Sequence, residues 1–77
     1  MRRRAAELVG AHVPLSEREL EVLALLDSEL SVARIASTLT ISYHTAKSHV
    51  RSIYAKLGVG TRVAAVRSAR DAGLLAP

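Results

Sequence analysis

The sequence predicts an all-α fold of four helices, and three observations support this. Hydrophobic residues make up 49% of the 77 residues, but Phe and Trp are absent and there are two Tyr, so the core must be small, aliphatic and rich in alanine. Such a core suits short helices that pack closely. Apolar residues recur at helical spacing without a competing strand-like alternation, and capping residues mark the helix ends. A chain of this length forms at most one domain.

Each predicted helix begins after a residue that can cap it. Ser16 followed by Glu19 forms a capping box, in which the serine oxygen and the glutamate each satisfy a backbone amide. Because Pro14 discourages a helix through it, residues 1–14 are expected to form an arm or linker remnant and residues 15–77 the domain. The predicted helices are about 17–27 after Ser16, 32–39 after Ser31, 42–57 with Ser42 as the cap, and 62–72 after Thr61.

The predicted third helix has two opposed faces. At about 100° per residue, an apolar stripe and a polar face lie nearly opposite each other, and the polar residues fall at i, i+3, i+4 and i+7. The polar face also lacks the Glu to Lys pairs of ordinary solvated helices, since no acidic residue occurs between Thr40 and Ala69. The apolar stripe consists of Ala46, Val50, Ile53 and Leu57, and the polar face of His44, Lys47, Ser48 and Arg51.

A short helix, a tight turn at Thr40-Ile41-Ser42 and a basic two-faced helix together are typical of a helix-turn-helix motif. The second helix of such a motif enters the major groove of DNA, where Lys and Arg can reach guanine O6 and N7. The charge distribution agrees, because residues 31–77 carry seven basic side chains and only Asp71 as an acid. Such a surplus attracts polyanions. The plainer alternative is a solvated, basic surface that only aids solubility.

Other kinds of site find little support. The absence of cysteine excludes disulfides, thiol catalysis and cysteine-ligated metals, and no apolar run is long enough to span a membrane. His44 and His49 diverge by about 140° on one helix and cannot share a metal ion. Glu17, Glu19 and Glu21 are better explained as favourable charges at a helix start than as an acid-base pair. Neither an enzyme nor a cofactor is therefore expected.

Many spaced residues between Leu15 and Leu75 agree in order with one known pattern. The landmarks are Leu15-Ser16-Glu17-Arg18-Glu19, Val22-Leu23, Ile35-Ala36, Leu39, Ile41-Ser42, Thr45, Lys47, Arg62, Ala65-Val66, Ala69 and Gly73-Leu74-Leu75. A further segment consists of His49-Val50-Arg51, Ile53-Tyr54 and Lys56-Leu57-Gly58-Val59. Together these residues resemble the LuxR-type (GerE-type) helix-turn-helix domain of bacterial transcription regulators, and the further segment is most similar to the carboxy-terminal domains of large MalT-like regulators.

The resemblance implies roles for particular residues on double-stranded DNA. It gives base reading to Lys47, Ser48 and Arg51 and backbone contacts to Thr45 and His49. His44 joins the base-reading set because it lies on the same helix face. Ser31 and Arg34 are further expected backbone contacts, and Arg34 would act in place of the polar residues that the family usually has before Ile35-Ala36. The fourth helix is commonly a dimer contact in this family. Its outward residues here would be Val63, Arg67, Arg70 and Leu74, and the two arginines make close pairing costly without DNA, so we expect a monomer that pairs on its operator.

The resemblance also implies partners and one difference in packing. Such domains usually follow a sensory or receiver domain and act in the cytoplasm, and Leu20, off the apolar face of the first helix, is a candidate contact for RNA polymerase or that domain. Ala46 stands where the family usually has Val, so the third helix is expected to pack more loosely on the second. Two alternatives stay open: a helical protein-interaction module, and a sigma-factor-like promoter-binding domain.

Overall fold

The computed structural model describes residues 15–75, and these form four α-helices without a strand. The predicted all-α, four-helix architecture is therefore confirmed. The prediction that residues 1–14 form an arm lies outside the described residues. In chain order the helices are α1 (Glu17–Leu26), α2 (Val32–Leu39), α3 (Tyr43–Leu57) and α4 (Arg62–Asp71).

The first and fourth helices end one residue earlier than predicted. Asp27 and Ala72 are the C-caps of α1 and α4, and their backbone N–H groups still donate to Leu23 and Ser68 carbonyls, at 3.2 and 3.0 Å. All four predicted N-caps are confirmed, and each accepts a hydrogen bond from the amide three residues later. The cap distances are 3.1 Å for Ser16 to Glu19 N, 3.1 Å for Ser31 to Arg34 N, 3.0 Å for Ser42 to Thr45 N and 3.1 Å for Thr61 to Ala64 N.

The core is aliphatic and centres on α3, which packs against the other three helices. Its predicted apolar stripe is buried along its whole length, with exposed fractions of 0% for Ala46 and Ile53 and at most 8% for the other two residues. The remaining helices each supply a small apolar set. The buried partners are Val22, Leu23 and Leu26 of α1, Ile35 and Ala36 of α2, and Ala65 and Ala69 of α4.

The turn between α2 and α3 holds a residue in a left-handed conformation. Thr40 has a φ of 60° and a ψ of 44°, and the Ile41 N–H donates to the Ala36 carbonyl at 2.9 Å. This six-residue closure is the Schellman arrangement, which usually has glycine at the left-handed position. A β-branched residue is unfavourable there because its Cβ approaches the backbone. The angle between the two helices of the motif therefore depends on a strained threonine.

Arginines of α4 close the carboxyl end of α1. Arg62 donates through Nε to the Leu26 carbonyl at 3.0 Å and through Nη2 to the Ser28 carbonyl at 2.8 Å. The Arg70 guanidinium lies 2.7 Å from the Asp27 carboxylate. These bonds satisfy carbonyls that a helix end leaves unpaired, and positive charge is favourable at that end. The contacts attach α4 to α1 beside the core.

Candidate nucleic-acid interface

The polar face of α3 is exposed on the side away from the core. His44, Lys47, Ser48 and Arg51 are all exposed, whereas the stripe on the opposite side of the same helix is buried. Because α3 is a regular α-helix from Tyr43 to Leu57, these four side chains lie within about 100° of one another. Ala55, one turn further along this side, is exposed as well. The structure thus brings together the four residues that the sequence assigned to base reading.

A cation lies over an aromatic ring at one edge of this face. The Nζ atom of Lys47 lies 5.9 Å from the centroid of the Tyr43 ring, and Tyr43 is 54% exposed. The two residues are four apart and occupy neighbouring turns at the start of α3. Tyr43 is not among the residues that the sequence assigned to this face.

The two residues assigned to the DNA backbone on α3 lie at the opposite edge of the face. Thr45 and His49 are both half-buried. The Ser42 hydroxyl donates to Thr45 Oγ1 at 2.9 Å while its oxygen accepts the Thr45 amide. The Thr45 hydroxyl proton takes no part in either bond, so it is the donor that this side chain can offer to a phosphate oxygen.

The start of α2 supplies the other two residues that the sequence assigned to the DNA backbone. Ser31 and Arg34 are exposed, and the Ser31 oxygen caps the helix through the Arg34 amide. The first turns of α2, α3 and α4 contain no acidic residue, in contrast to α1, which has Glu17 and Glu19 in its first turn. The positive ends of these three helix dipoles are therefore not offset by a local carboxylate.

The four residues proposed for pairing through α4 differ in their surroundings. Val63 is 71% exposed and Arg67 is exposed. Arg70 is exposed too, but its guanidinium binds Asp27 of α1. Leu74 is half-buried and packs against the core. Val63 and Arg67 are thus the part of this set that is both exposed and not bonded to α1 through the contacts above.

Glu19 is a buried carboxylate that joins α1 to α3, a role that sequence reasoning missed. It is 5% exposed, and its Oε1 accepts the Ser16 amide at 2.9 Å and the Lys56 ammonium at 2.8 Å. Its Oε2 accepts the Ser52 hydroxyl. The predicted capping box is confirmed, but Glu19 is not merely a solvated charge at a helix start. The sequence did contain a signal for this contact. Ser52 and Lys56 are four residues apart and border the apolar stripe, so both could reach one polar partner on a neighbouring helix.

The contacts of Glu19 change its acidity. Burial alone acts to raise the pKa of this carboxyl, because it disfavours the charged form. The hydrogen bonds from Lys56, Ser52 and the Ser16 amide, with the positive charge of Lys56, outweigh burial and lower the pKa from 4.5 to about 2. Glu19 is therefore ionised at neutral pH, and its charge holds the C-terminal half of α3 against α1.

Two other features are absent from the part of the chain that the structure describes. Between residues 15 and 75, no three His, Cys, Asp or Glu side chains come together as possible metal ligands. None of the helices described is both long enough and apolar enough to cross a lipid bilayer.

The fold and the exposed face together define a helix-turn-helix domain. The motif consists of α2 and α3, and α1 and α4 pack against α3 on the side opposite its exposed face. The sequence model of the bacterial regulatory proteins of the luxR family, GerE, matches residues 13–69, which is most of the chain. The chain therefore belongs to the luxR family, whose helix-turn-helix domains serve DNA-binding transcription regulation. No solved structure matches the chain at a significant level.

Proposed function

We propose that this chain binds double-stranded DNA sequence-specifically as the output domain of a bacterial transcription regulator, with α3 in the major groove. The observation that carries the proposal is the pair of opposed faces on α3. One face is buried and fixes the helix, and the other presents Lys47, Ser48 and Arg51 together to solvent. An α-helix fits the major groove, and these side chains can hydrogen-bond to the base edges displayed there.

Each residue of the face has a role that suits its chemistry. Lys47 and Arg51 donate to guanine O6 and N7, Ser48 donates or accepts, and His44 adds a further donor or acceptor at the start of the helix. Thr45 and His49 at the edge of α3, with Ser31 and Arg34 at the start of α2, bind the sugar-phosphate backbone. Backbone contacts fix the orientation of the domain, and base contacts select the sequence.

Pairing on the operator completes the site. A single module of this kind buries only about 600 to 1,000 Å² of its surface on DNA, which makes binding to one half-site weak. Two copies contact each other through the outer face of α4 at Val63, Arg67 and Arg70, and through Leu74, which lies three residues beyond the end of the helix. Repulsion between the exposed Arg67 side chains of the two copies keeps them apart until DNA phosphates offset the charge, whereas Asp27 already offsets much of the charge of Arg70. We therefore expect the protein to be a monomer in the absence of DNA.

Other parts of the regulator and of the transcription machinery act together with this domain. A sensory or receiver domain controls the DNA-binding domain, RNA polymerase is a further partner, and the protein acts in the cytoplasm. The segment from His49 to Val59 favours the MalT-like group within the family.

Selection from a pool of random duplexes, followed by sequencing, tests the proposal most directly. Sequence-specific binding predicts a pair of related half-sites, and the affinity for the enriched duplex should fall steeply with salt because phosphate neutralisation releases counterions. Affinity is measured by fluorescence anisotropy against a scrambled duplex of equal length.

Enrichment of no motif would overturn the proposal. It would favour a helical protein-interaction module whose basic face meets an acidic partner. A sigma-factor-like promoter-binding domain, the nearer alternative, would also enrich a motif, but a motif without paired half-sites. The match to the luxR family favours the paired arrangement.

A further inference from the structure

Tyr43 is an exposed aromatic residue that the fold does not need for its core. Large apolar or aromatic side chains exposed among residues 15–75 are Leu20 at 37%, Tyr43 at 54% and Val63 at 71%. Of these three, only Tyr43 lies on α3, in the first turn, beside the face assigned to base reading. Because more than half of the Tyr43 side chain is exposed to water, its contribution to the stability of the fold is small. Its position beside the base-reading face suggests a role in binding.

The Lys47 ammonium lies over the Tyr43 ring, and attraction to the ring favours this position. Lysine is a flexible chain with a point charge at its end, and fixing it at a base edge costs conformational entropy. The Nζ atom lies 5.9 Å from the ring centroid, within the range in which a ring face attracts a cation. No carboxylate on α3 competes for that ammonium, because residues 41–69 contain no acid.

We propose that Tyr43 is a positioning residue for Lys47. Its ring holds the ammonium over the first turn of α3 and presents it in one direction to a guanine edge in the major groove. This inference rests on the proposed function, since it assigns to Lys47 a base contact on DNA. It adds a determinant of base preference that does not itself touch the base.

DNA binding strengthens the contact. In the free protein both groups are hydrated, and a cation over an exposed ring is held weakly. When α3 enters the groove, water leaves the space between protein and bases, and electrostatic attraction grows as the local dielectric falls. The ring then opposes movement of Lys47 toward the nearest phosphate, where it would bind without reading sequence.

The test distinguishes the contribution of the Tyr43 ring to DNA binding from the contributions of its hydroxyl group and of its apolar bulk. Tyr43→Phe keeps the ring, Tyr43→Leu keeps apolar bulk without the ring, and Leu20→Ala removes an exposed apolar side chain away from α3. These three variants, Lys47→Ala, and the double variant Tyr43→Leu with Lys47→Ala are each titrated against the duplex enriched by selection and against duplexes with single changes at each guanine. Far-UV circular dichroism checks that all variants fold.

We expect Tyr43→Phe and Leu20→Ala to bind like the parent chain. Tyr43→Leu should bind about fivefold more weakly and should lose preference at one guanine position. In the Lys47→Ala background, Tyr43→Leu should have almost no further effect, because the two residues act through one contact.

Three results would overturn the positioning role. These are parent-like binding by Tyr43→Leu, an equal loss in Tyr43→Phe, and a loss in Tyr43→Leu that persists without Lys47. Failure of the proposed function gives a different signature: no duplex is enriched, or Lys47→Ala itself binds the enriched duplex as the parent does.

Discussion

The Lys56 ammonium lies 2.8 Å from the Glu19 carboxylate and joins the last turn of α3 to the first turn of α1. Glu19 Oε2 also accepts the Ser52 hydroxyl, so two residues on one side of α3 share a single buried carboxylate. Ser52 follows Arg51, and Lys56 lies one turn later. The same helix therefore has an inner apolar stripe, an anchored flank and an outer basic face. An external ligand meets the basic face in a fixed orientation because the other two sides are held.

Glu19→Gln should reduce stability most at neutral pH. The folded pKa of about 2 is below the ordinary 4.5, so the carboxylate stabilises the fold fully above about pH 5, and this contribution is lost as pH falls toward 2. The shift corresponds to about 3 kcal/mol. Urea unfolding of parent and variant at several pH values measures it. The difference between them should shrink below about pH 4.

The control for this experiment is Glu17→Gln, which changes an exposed carboxylate in the same turn of α1. Its unfolding free energy should stay within about 0.5 kcal/mol of the parent. A difference between Glu19→Gln and parent that is constant from neutral to acid pH would contradict the assignment of charge to Glu19.

Arg51→Ala and Lys47→Ala should each weaken binding to the enriched duplex by about 1 to 3 kcal/mol while leaving the unfolding midpoint unchanged. Both side chains are exposed, so their loss affects the docking face and not the core. Fluorescence anisotropy at fixed salt measures the affinity. Arg18→Ala is the matched control, because it removes an exposed arginine that pairs with Glu21 on α1, at 3.1 Å. Unchanged affinity in both α3 variants would rule out this face as the DNA surface.

Val63→Ser should impair binding to two half-sites but not to one. Val63 is 71% exposed on α4, and serine would remove an apolar contact between the paired copies without changing the charge beside Arg67. We expect affinity for the double site to fall about tenfold, with the single half-site unaffected. Equal affinity of parent and Val63→Ser for the double site would show that pairing does not use this part of α4.

Thr40→Gly should stabilise the domain. Thr40 has a φ of 60°, and glycine adopts that conformation without a Cβ clash, which should add about 1 kcal/mol to the free energy of unfolding. For a domain of this size the thermal midpoint should rise by about 4 to 8 °C. Thermal unfolding followed by circular dichroism measures it.

Ser37→Gly, three residues earlier on the exposed side of α2, is the control for Thr40→Gly. It places glycine inside a helix, where the added chain entropy should lower the midpoint. A lower midpoint for Thr40→Gly as well would mean that the turn does not hold Thr40 in the left-handed region.

The local features of this protein follow from its sequence. A cap such as Ser42 bonds only three residues along the chain, and the stripe from Ala46 to Leu57 depends only on helical periodicity. Both could be predicted, and so could the exposure of Lys47 and Arg51, because helical geometry alone places them opposite the stripe. The family resemblance added the expected roles of these residues on DNA.

The tertiary structure decided which of the many charged residues hold helices together. Glu19 and Lys56 are 37 residues apart, and Arg62 and Leu26 are 36 apart, so no local rule links them. From the sequence alone, the capping box and the helix dipole are sufficient reasons for a glutamate at position 19. Its buried partners, Ser52 and Lys56, become evident only when α1 packs on α3. Arg70 likewise is an outward cation in the sequence and an ion-pair partner of Asp27 in the fold. Local periodicity sets which side of a helix is polar, but the polar partners across the core depend on how the helices pack.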